Sequence, residues 1–160
     1  MLHYVYGHDQ IVADFVAKLI PHAHRGFGNA TAIGILDGEG RLIAGLVYHN
    51  WDPDAGTIEI SGAALPRQQW LTRETIARMY QYPFLQIGVQ MVVQRTPSDD
   101  VRLLRQLSVY GYEFVKHRRM FGRNRDGVIC SLTYEDWVSN KFNQRLKHHL
   151  TDDARTQEAA

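Results

Sequence analysis

The hydrophobic positions near the start of the chain change from strand spacing to helical spacing. Residues 3–6 alternate well enough for a short strand, and Asp9 can cap a helix that Pro21 ends. Residues 22–29 are polar and contain glycine, which predicts a loop or a broken helix. The predicted helix would carry its apolar residues on one face, namely Ile11, Val12, Phe15, Val16, Leu19 and Ile20.

Three apolar segments at short spacing follow, and they predict an antiparallel meander. The strands cover residues 32–36, 42–48 and 57–62. Turn-forming residues at 37–40 and 52–56 separate them.

The next segment alternates between helix and strand. A helix is expected from Thr72, with Ile76, Met79 and Tyr80 facing inward, and Pro83 should kink or end it. Residues 90–94 contain an unbroken apolar run, which is typical of a central strand.

The remaining elements are a helix, a hairpin and a tail. Ser98 or Asp99 is expected to cap the helix, which ends at Gly111 and presents Val101, Leu104 and Leu107 to the core. Residues 115–121 and 128–132 would pair across an Asp-Gly turn. Beyond Thr133, apolar residues at helical spacing predict a helix that docks on the core or on the second subunit of a homodimer.

Composition indicates one soluble domain spanning residues 1–150. The chain has 160 residues, of which 44% are hydrophobic and 22% charged, enough to bury a core. Residues 151–160 have almost no apolar content, so we expect a disordered tail there. A net charge of +1 provides no global field for nucleic acid or membrane.

Several classes of protein are disfavoured. The single cysteine, Cys130, excludes an internal disulfide and is expected to be buried in a strand. The pairs His22–His24 and His148–His149 have no further metal ligands at a recognisable offset, so no metal site is expected. The N-terminus lacks the pattern of a signal peptide, and no apolar run approaches the ~20 residues needed to span a bilayer. A cytoplasmic protein is therefore expected.

The order of elements between residues 57 and 114 is the most informative feature. Strand, helix, strand, helix and the sequence Tyr110-Gly111-Tyr112 follow one another there. This order resembles the acyl-coenzyme A binding half of the GNAT N-acetyltransferase superfamily, over residues 30–133. The resemblance implies an α/β fold with a mixed, mostly antiparallel sheet of six or seven strands flanked by helices. The sheet would be splayed at its centre, between the strands of Glu59 and Val92, and acetyl-CoA would enter the splay.

A narrower resemblance concerns two short sequences. Pro-Arg-x-x-Trp-Leu-Thr-Arg, beginning at Pro66, and Tyr-Pro-Phe, beginning at Tyr82, are similar to those of small acetyltransferase-like proteins carried by phages and prophages.

Glu59 is the predicted general base. It lies between Ile58 and Ile60 and points to the opposite face of the strand, where it could also be an ordinary solvated carboxylate. The resemblance implies that a glutamate here takes a proton from the acceptor amine, directly or through water. Tyr48 and Trp51 are expected to shield it and to contact the acceptor. His49 could line the same cleft or be a surface histidine.

The connection after the Glu59 strand is the expected coenzyme loop. The superfamily has glycines here, whose backbone N–H groups and following helix N-terminus attract phosphate. This chain has Arg67 and a helix start at Thr72 but lacks the glycines, and Trp70 is bulky. An ordinary connection is the alternative. The expected coenzyme-binding residues are Ala63, Ala64, Leu65, Arg67, Trp70, Leu71 and Thr72, together with Ser98 for a pantetheine amide.

A general acid is less evident from the sequence. The superfamily's tyrosine corresponds to Leu107, which cannot donate a proton. Tyr110 and Ser108 are the nearest hydroxyls, and Tyr110 is the better candidate for the acid. A tyrosine packed in the core is the alternative, which its position favours.

The most basic segment runs from Lys116 to Arg125. In a regular hairpin Arg119 and Arg123 would share one face and could bind an acidic acceptor. A solvated edge is the alternative. Two alternative functions therefore remain. The basic segment favours an acyltransferase relative that modifies nucleic acid. The missing glycines and tyrosine favour an inactive scaffold that is used as a binding module.

Overall fold

The computed structural model describes residues 1–150 as a seven-stranded sheet with flanking helices. The expected tail at 151–160 lies outside the described residues. The strands are β1 (His3–Val5), β2 (Ala30–Leu36), β3 (Leu42–Asp52), β4 (Thr57–Ala64), β5 (Met91–Pro97), β6 (Glu113–His117) and β7 (Gly127–Thr133). The α-helices are α1 (Asp9–Leu19), α2 (Arg73–Gln81), α3 (Val101–Tyr110), α4 (Tyr134–Ser139) and α5 (Lys141–Gln144).

The sheet is splayed at its centre, as predicted. Its order is β1-β2-β3-β4-β5-β7-β6, and β4–β5 is the parallel pair within it. These two strands pair only where Thr57, Ile58 and Glu59 oppose Met91, Val92 and Val93. Beyond Glu59 they continue to Ala64 and Pro97 without pairing to each other. The mixed, mostly antiparallel sheet expected from the sequence is therefore confirmed.

Helix α1 packs on one face of the sheet through a stripe that is rotated from the predicted one. Val12, Ala13 and Val16 form a cluster with Ala32 and Val47. Ile11, which was expected to face inward, is 66% exposed.

The predicted cap at Asp9 is also wrong. His8 occupies the N-cap position and makes no side-chain cap, whereas Asp9 lies in the first turn. Its carboxylate accepts a hydrogen bond from the backbone N–H of Ala32 at 2.8 Å. Asp9 therefore links α1 to β2 through this hydrogen bond and does not cap the helix.

Helix α2 begins as the sequence predicts. Thr72 is the N-cap, and its hydroxyl accepts a hydrogen bond from the Thr75 N–H at 3.2 Å. The side chains of Ile76, Met79 and Tyr80 are buried, as expected. The α-helix ends before Pro83, where the chain widens into a π-helical turn at Tyr82–Ile87.

Helix α3 differs from its prediction at the start and agrees at the end. Asp100, and neither Ser98 nor Asp99, is the N-cap, and it accepts a hydrogen bond from the Leu103 N–H at 3.3 Å. Val101 is 52% exposed and does not face the core. Gly111 adopts the left-handed conformation at φ 100°, which a C-terminal glycine favours.

The closing hairpin has a shorter first strand than predicted. Strand β6 ends at His117, so residues 118–121 lie in a long connection to β7 and not in a strand. Arg119 has φ 59° there, which interrupts extended backbone. The alternation expected to place Arg119 and Arg123 on one strand face is therefore wrong.

The segment after β7 docks on the core as two short helices. Trp137 stacks on Phe84, and Phe142 stacks on Tyr110. No helix within residues 1–150 is long and apolar enough to cross a membrane.

Candidate functional site

Three strands bring polar side chains to one face of the sheet at the point of splay. His49 on β3 is the direct cross-strand partner of Glu59 on β4. Ser61 follows Glu59 by two residues on β4. On β5, Val93 is the partner of Glu59, and Arg95 follows Val93 by two residues. Because side chains alternate along strands, all four residues share a face.

The Glu59 carboxylate is held by three neighbours. Its Oε2 lies 3.2 Å from Arg95 Nε and 3.7 Å from His49 Nε2, and its Oε1 accepts a hydrogen bond from Asn50 at 3.1 Å. The side chain of Glu59 is only 12% exposed. It is therefore not the solvated surface carboxylate that was the alternative expectation.

His49 is a buried imidazole beside this carboxylate. Its Nε2 lies 2.9 Å from the Ser61 hydroxyl, and its ring lies 4.7 Å from that of Phe27. Burial lowers the pKa of His49, against the opposing effect of Glu59, and the positive charge of Arg95 lowers it further. We therefore expect a neutral imidazole near pH 7.

Two cavities meet at this group of residues. The first, which we call the Glu59 cavity, has a volume of about 370 Å³ and is lined by Glu59, its polar neighbours and aromatic rings. The second, the splay cavity, has a volume of about 280 Å³ and lies between the diverging halves of β4 and β5. His22, Ser61 and Arg95 line both cavities, so the two join at these side chains.

The splay cavity passes through the gap in the sheet. It is lined by residues of the α1 side, such as Leu19, and by residues of the α2 side, such as Ile60 on β4 and Met79 on α2. Trp70 forms part of its wall. The Cη2 atom of Trp70 lies 3.2 Å from the point where a Cβ on Gly62 would stand, so the indole packs against the β4 backbone.

Only some of the predicted coenzyme residues border this cavity. Trp70 and Leu71 line it, and Leu107 and Tyr110 line it from α3. Arg67 is exposed, with φ 64°, and Thr72 caps α2. The remaining expected residues, Ala63, Ala64, Leu65 and Ser98, do not line the cavity either.

Tyr110 combines burial with access to the splay cavity. Burial raises the pKa of its phenol above the usual value. The ring packs edge-on to Tyr80 and stacks on Phe142, and we find no hydrogen bond of its hydroxyl within residues 1–150. A protonated hydroxyl therefore borders the cavity.

The predicted aromatic shield of Glu59 is wrong. Tyr48 points to the opposite face of β3, where its hydroxyl donates a hydrogen bond to the Met79 carbonyl at 2.7 Å. Trp51 lies beyond an irregularity in β3 and is 56% exposed. Phe27 and Phe121 are the aromatic residues that line the Glu59 cavity.

The basic segment contributes to this cavity through apolar side chains. Met120 and Phe121 line it, whereas the predicted Arg119 and Arg123 are exposed and do not. Two other basic residues of the segment are already paired, Arg125 with Asp99 and Lys116 with Asp126.

Sequence reasoning missed four polar residues of the site: His22, Asn50, Ser61 and Arg95. Alternation from Glu59 could have indicated Ser61. Arg95 required the register between β4 and β5, which no local pattern provides.

The remaining chemistry-bearing groups offer no further site. No cluster of three or more histidine, cysteine or acidic side chains within residues 1–150 could hold a metal ion. Cys130 is completely buried in β7, and burial raises the pKa of its thiol to about 12.

Acetyltransferases are among the solved structures that have a similar fold. The spermidine/spermine N-acetyltransferase SpeG of Vibrio cholerae, in mutant form, matches with a TM-score of 0.72 and 11% identity over 88% of this chain and 99% of that one. A structure assigned as an acetyltransferase matches with a TM-score of 0.71 and 16% identity over 94% of both chains. A similarly assigned structure from T. thermophilus gives a TM-score of 0.63 and 18% identity over 78% of this chain and 68% of that one.

These structural matches establish the fold, which this chain shares with those acetyltransferases. No protein-family model and no curated protein sequence matches this chain.

Proposed function

We propose that this chain is an N-acyltransferase that moves an acetyl group from acetyl-CoA to an amine, with Glu59 as general base. The observation that carries the proposal is the junction of the splay cavity with the Glu59 cavity. A thioester entering through the splay and an amine entering from the Glu59 side would meet at Ser61 and Arg95. Structural similarity to acetyltransferases supports the same class of reaction.

The proposed reaction is a direct transfer. Glu59 takes a proton from the acceptor ammonium, directly or through one water, and the neutral amine attacks the thioester carbonyl. The carbon–sulfur bond breaks as the carbon–nitrogen bond forms, and the coenzyme leaves as a thiolate. The Tyr110 hydroxyl, on the wall of the splay cavity, protonates that thiolate. The amide nitrogen releases its extra proton to solvent, and solvent returns a proton to the Tyr110 phenolate.

The neighbours of Glu59 orient it for this role. Asn50 and Arg95 each hold one carboxylate oxygen, which fixes the direction of the group without occupying every lone pair. His49 is proposed to line the acceptor side as a neutral ring, because burial and Arg95 lower its pKa.

The coenzyme is proposed to lie along β4, with its pyrophosphate near Arg67 and the N-terminus of α2. Positive charge and free N–H groups at a helix start attract phosphate oxygens. Trp70 and Leu71 would contact the pantetheine arm from the wall of the splay cavity. The roles of Ala63, Ala64, Leu65, Thr72 and Ser98 in coenzyme binding stay predictions.

Isothermal titration with acetyl-CoA tests this proposal. We expect saturable binding that weakens in Arg67→Gln, with the exposed Arg102→Gln on α3 as a matched control of unchanged affinity. No heat and no shift in melting temperature at millimolar acetyl-CoA would overturn the proposal.

A second candidate is a catalytically weak or inactive scaffold used as a binding module. The packing of Trp70 against Gly62 favours it, because the indole covers backbone that a pantetheine chain would approach. Binding of acetyl-CoA with transfer to an amine would exclude this candidate. A nucleic-acid acceptor is less favoured, because Arg125 and Lys116 are paired with acidic residues.

Assembly and origin also stay predictions. One of the similar structures is a dodecameric spermidine N-acetyltransferase, which supports the proposal that this chain forms a homo-oligomer. Light scattering would measure its mass in solution. The phage or prophage subtype rests on the sequence resemblance.

A further inference from the structure

Arg95 has hydrogen-bonding capacity that the site does not use. Its Nε–H donates to Glu59, and within residues 1–150 we find no hydrogen bond from its two terminal nitrogens. The side chain is 52% exposed and lines both cavities at their junction. The free end of the guanidinium is therefore accessible to a ligand beside Glu59.

The charges of the Glu59 cavity do not suit a polycation. Among the lining residues within 1–150 Glu59 is the only carboxylate, and it is already paired with Arg95. An acceptor with several ammonium groups would bring positive charges that no further lining carboxylate could neutralise. Burial lowers the pKa of His22, and the charges of Arg125 and Arg95 lower it further, against the opposing effect of Glu59.

The size and apolar wall of the cavity define the rest of the ligand. Its volume of about 370 Å³ is that of a small-molecule pocket. Phe27 and Phe121 supply aromatic surface, and Met120 adds a flexible apolar side chain.

We propose that the acceptor is a small amine that carries an oxyanion, a carboxylate or a phosphate, a few bonds from its amino group. The terminal nitrogens of Arg95 bind the oxyanion as a fork, while Glu59 receives the proton of the amine. An apolar side chain of the acceptor packs against Phe27 and Phe121. This inference rests on the proposed function, for which the Glu59 cavity is the acceptor site.

Ligands shaped like the reaction product test the inference without requiring turnover. N-acetyl-L-phenylalanine, its phosphonate analogue and its uncharged amide are titrated calorimetrically into the wild-type protein. The same three ligands are titrated into Arg95→Gln, Arg95→Lys and the control Arg102→Gln. The carboxylate and phosphonate arms distinguish the two sources of the oxyanion.

At least one oxyanion ligand is expected to bind wild type roughly tenfold or more tightly than the amide does. The uncharged amide cannot form the pair of charge-assisted hydrogen bonds that the Arg95 guanidinium makes with an oxyanion. Arg95→Gln should remove that preference while leaving the affinity for the amide nearly unchanged. Arg95→Lys should retain part of it, because the charge remains without the fork. Arg102→Gln should behave as wild type, and melting curves confirm that each variant is folded.

Three outcomes would each overturn the inference. The first is equal affinity for the acid and the amide, and the second is no binding of any of the three ligands. The third is loss of the preference in Arg119→Gln but not in Arg95→Gln. Faster acetylation of spermidine than of L-phenylalanine would overturn it as well. Failure of acetyl-CoA to bind would instead contradict the proposed function, because that titration does not involve the oxyanion.

Discussion

Arg95 Nε lies 3.2 Å from Glu59 Oε2, just where β4 and β5 stop pairing. The ion pair thus joins the two strands at the closed end of the splay. The opening of the splay cavity and the position of the proposed base depend on the same pair of strands.

Glu59→Gln should lower turnover by roughly two or more orders of magnitude, because the amide cannot accept the proton that a general base removes. Acetyl-CoA affinity should stay nearly unchanged, since Glu59 lines the Glu59 cavity and not the splay cavity. Thiol release measures turnover, and calorimetry measures affinity.

The exposed Glu113→Gln on β6 is the matched control for this substitution and should keep wild-type turnover. A pH–rate profile of Glu59→Gln that coincides with that of wild type would remove Glu59 as the base.

The element order could be predicted because it follows from local patterns, whereas the splay was implied by the resemblance to the superfamily. Apolar alternation locates the strands, and Thr72 and Gly111 mark helix ends by their own chemistry. The inward direction of Ile11 and Val101 was wrong, because a helical stripe can rotate by one residue with little change in its sequence pattern.

The site could be predicted only in part. Alternation points Glu59 away from Ile58 and Ile60, and the resemblance implied its role as the base. The same rule puts Tyr48 and His49 on opposite faces, so only one of them can accompany Glu59, and the observed register selects His49. Arg95 depends on that long-range register.

The hairpin shows a different limit of sequence reasoning. Regular pairing was assumed through Arg119, but β6 ends at His117 and Arg119 turns into the left-handed region. A non-glycine residue in that region is held there by its surroundings, here including a hydrogen bond from its N–H to Asp126 at 3.1 Å. Residue type alone does not reveal such a turn.

Trp70 should report on coenzyme binding. Because its indole packs against Gly62 in the wall of the splay cavity, a bound pantetheine arm would change its surroundings. Acetyl-CoA should therefore alter tryptophan fluorescence in wild type. Trp70→Phe should lose most of this change, whereas Trp51→Phe, at an exposed position away from the splay, should keep it. A change that persists fully in Trp70→Phe would place the coenzyme elsewhere.

His49 should make the protein less stable in mild acid. Burial lowers its pKa in the folded protein below the ordinary 6.5, so the unfolded chain binds the proton first as pH falls. The contribution of His49 to the free energy of unfolding should then decrease below about pH 6.5. It should level off below the depressed pKa of the folded protein.

Melting temperatures between about pH 7 and pH 5 check this dependence. His49→Gln should show a shallower decrease than wild type, because glutamine has no proton to bind. His3→Gln, at an exposed position, is the control and should follow wild type. Parallel curves for wild type and His49→Gln would contradict the prediction.

The last prediction concerns Tyr110 as proton donor to the leaving thiolate. A coenzyme A thiolate is a good leaving group, so Tyr110→Phe should lower turnover by less than about two orders of magnitude, the lower end for general acid catalysis. The phenylalanine ring retains the contacts with Tyr80 and Phe142, and the hydroxyl has no described hydrogen bond to lose, so the melting temperature should change little.

The raised pKa of Tyr110 further predicts that the alkaline limb of the wild-type pH–rate profile attributable to this phenol lies above about pH 10. Turnover of Tyr110→Phe equal to that of wild type across the profile would show that the residue is structural and that solvent protonates the thiolate.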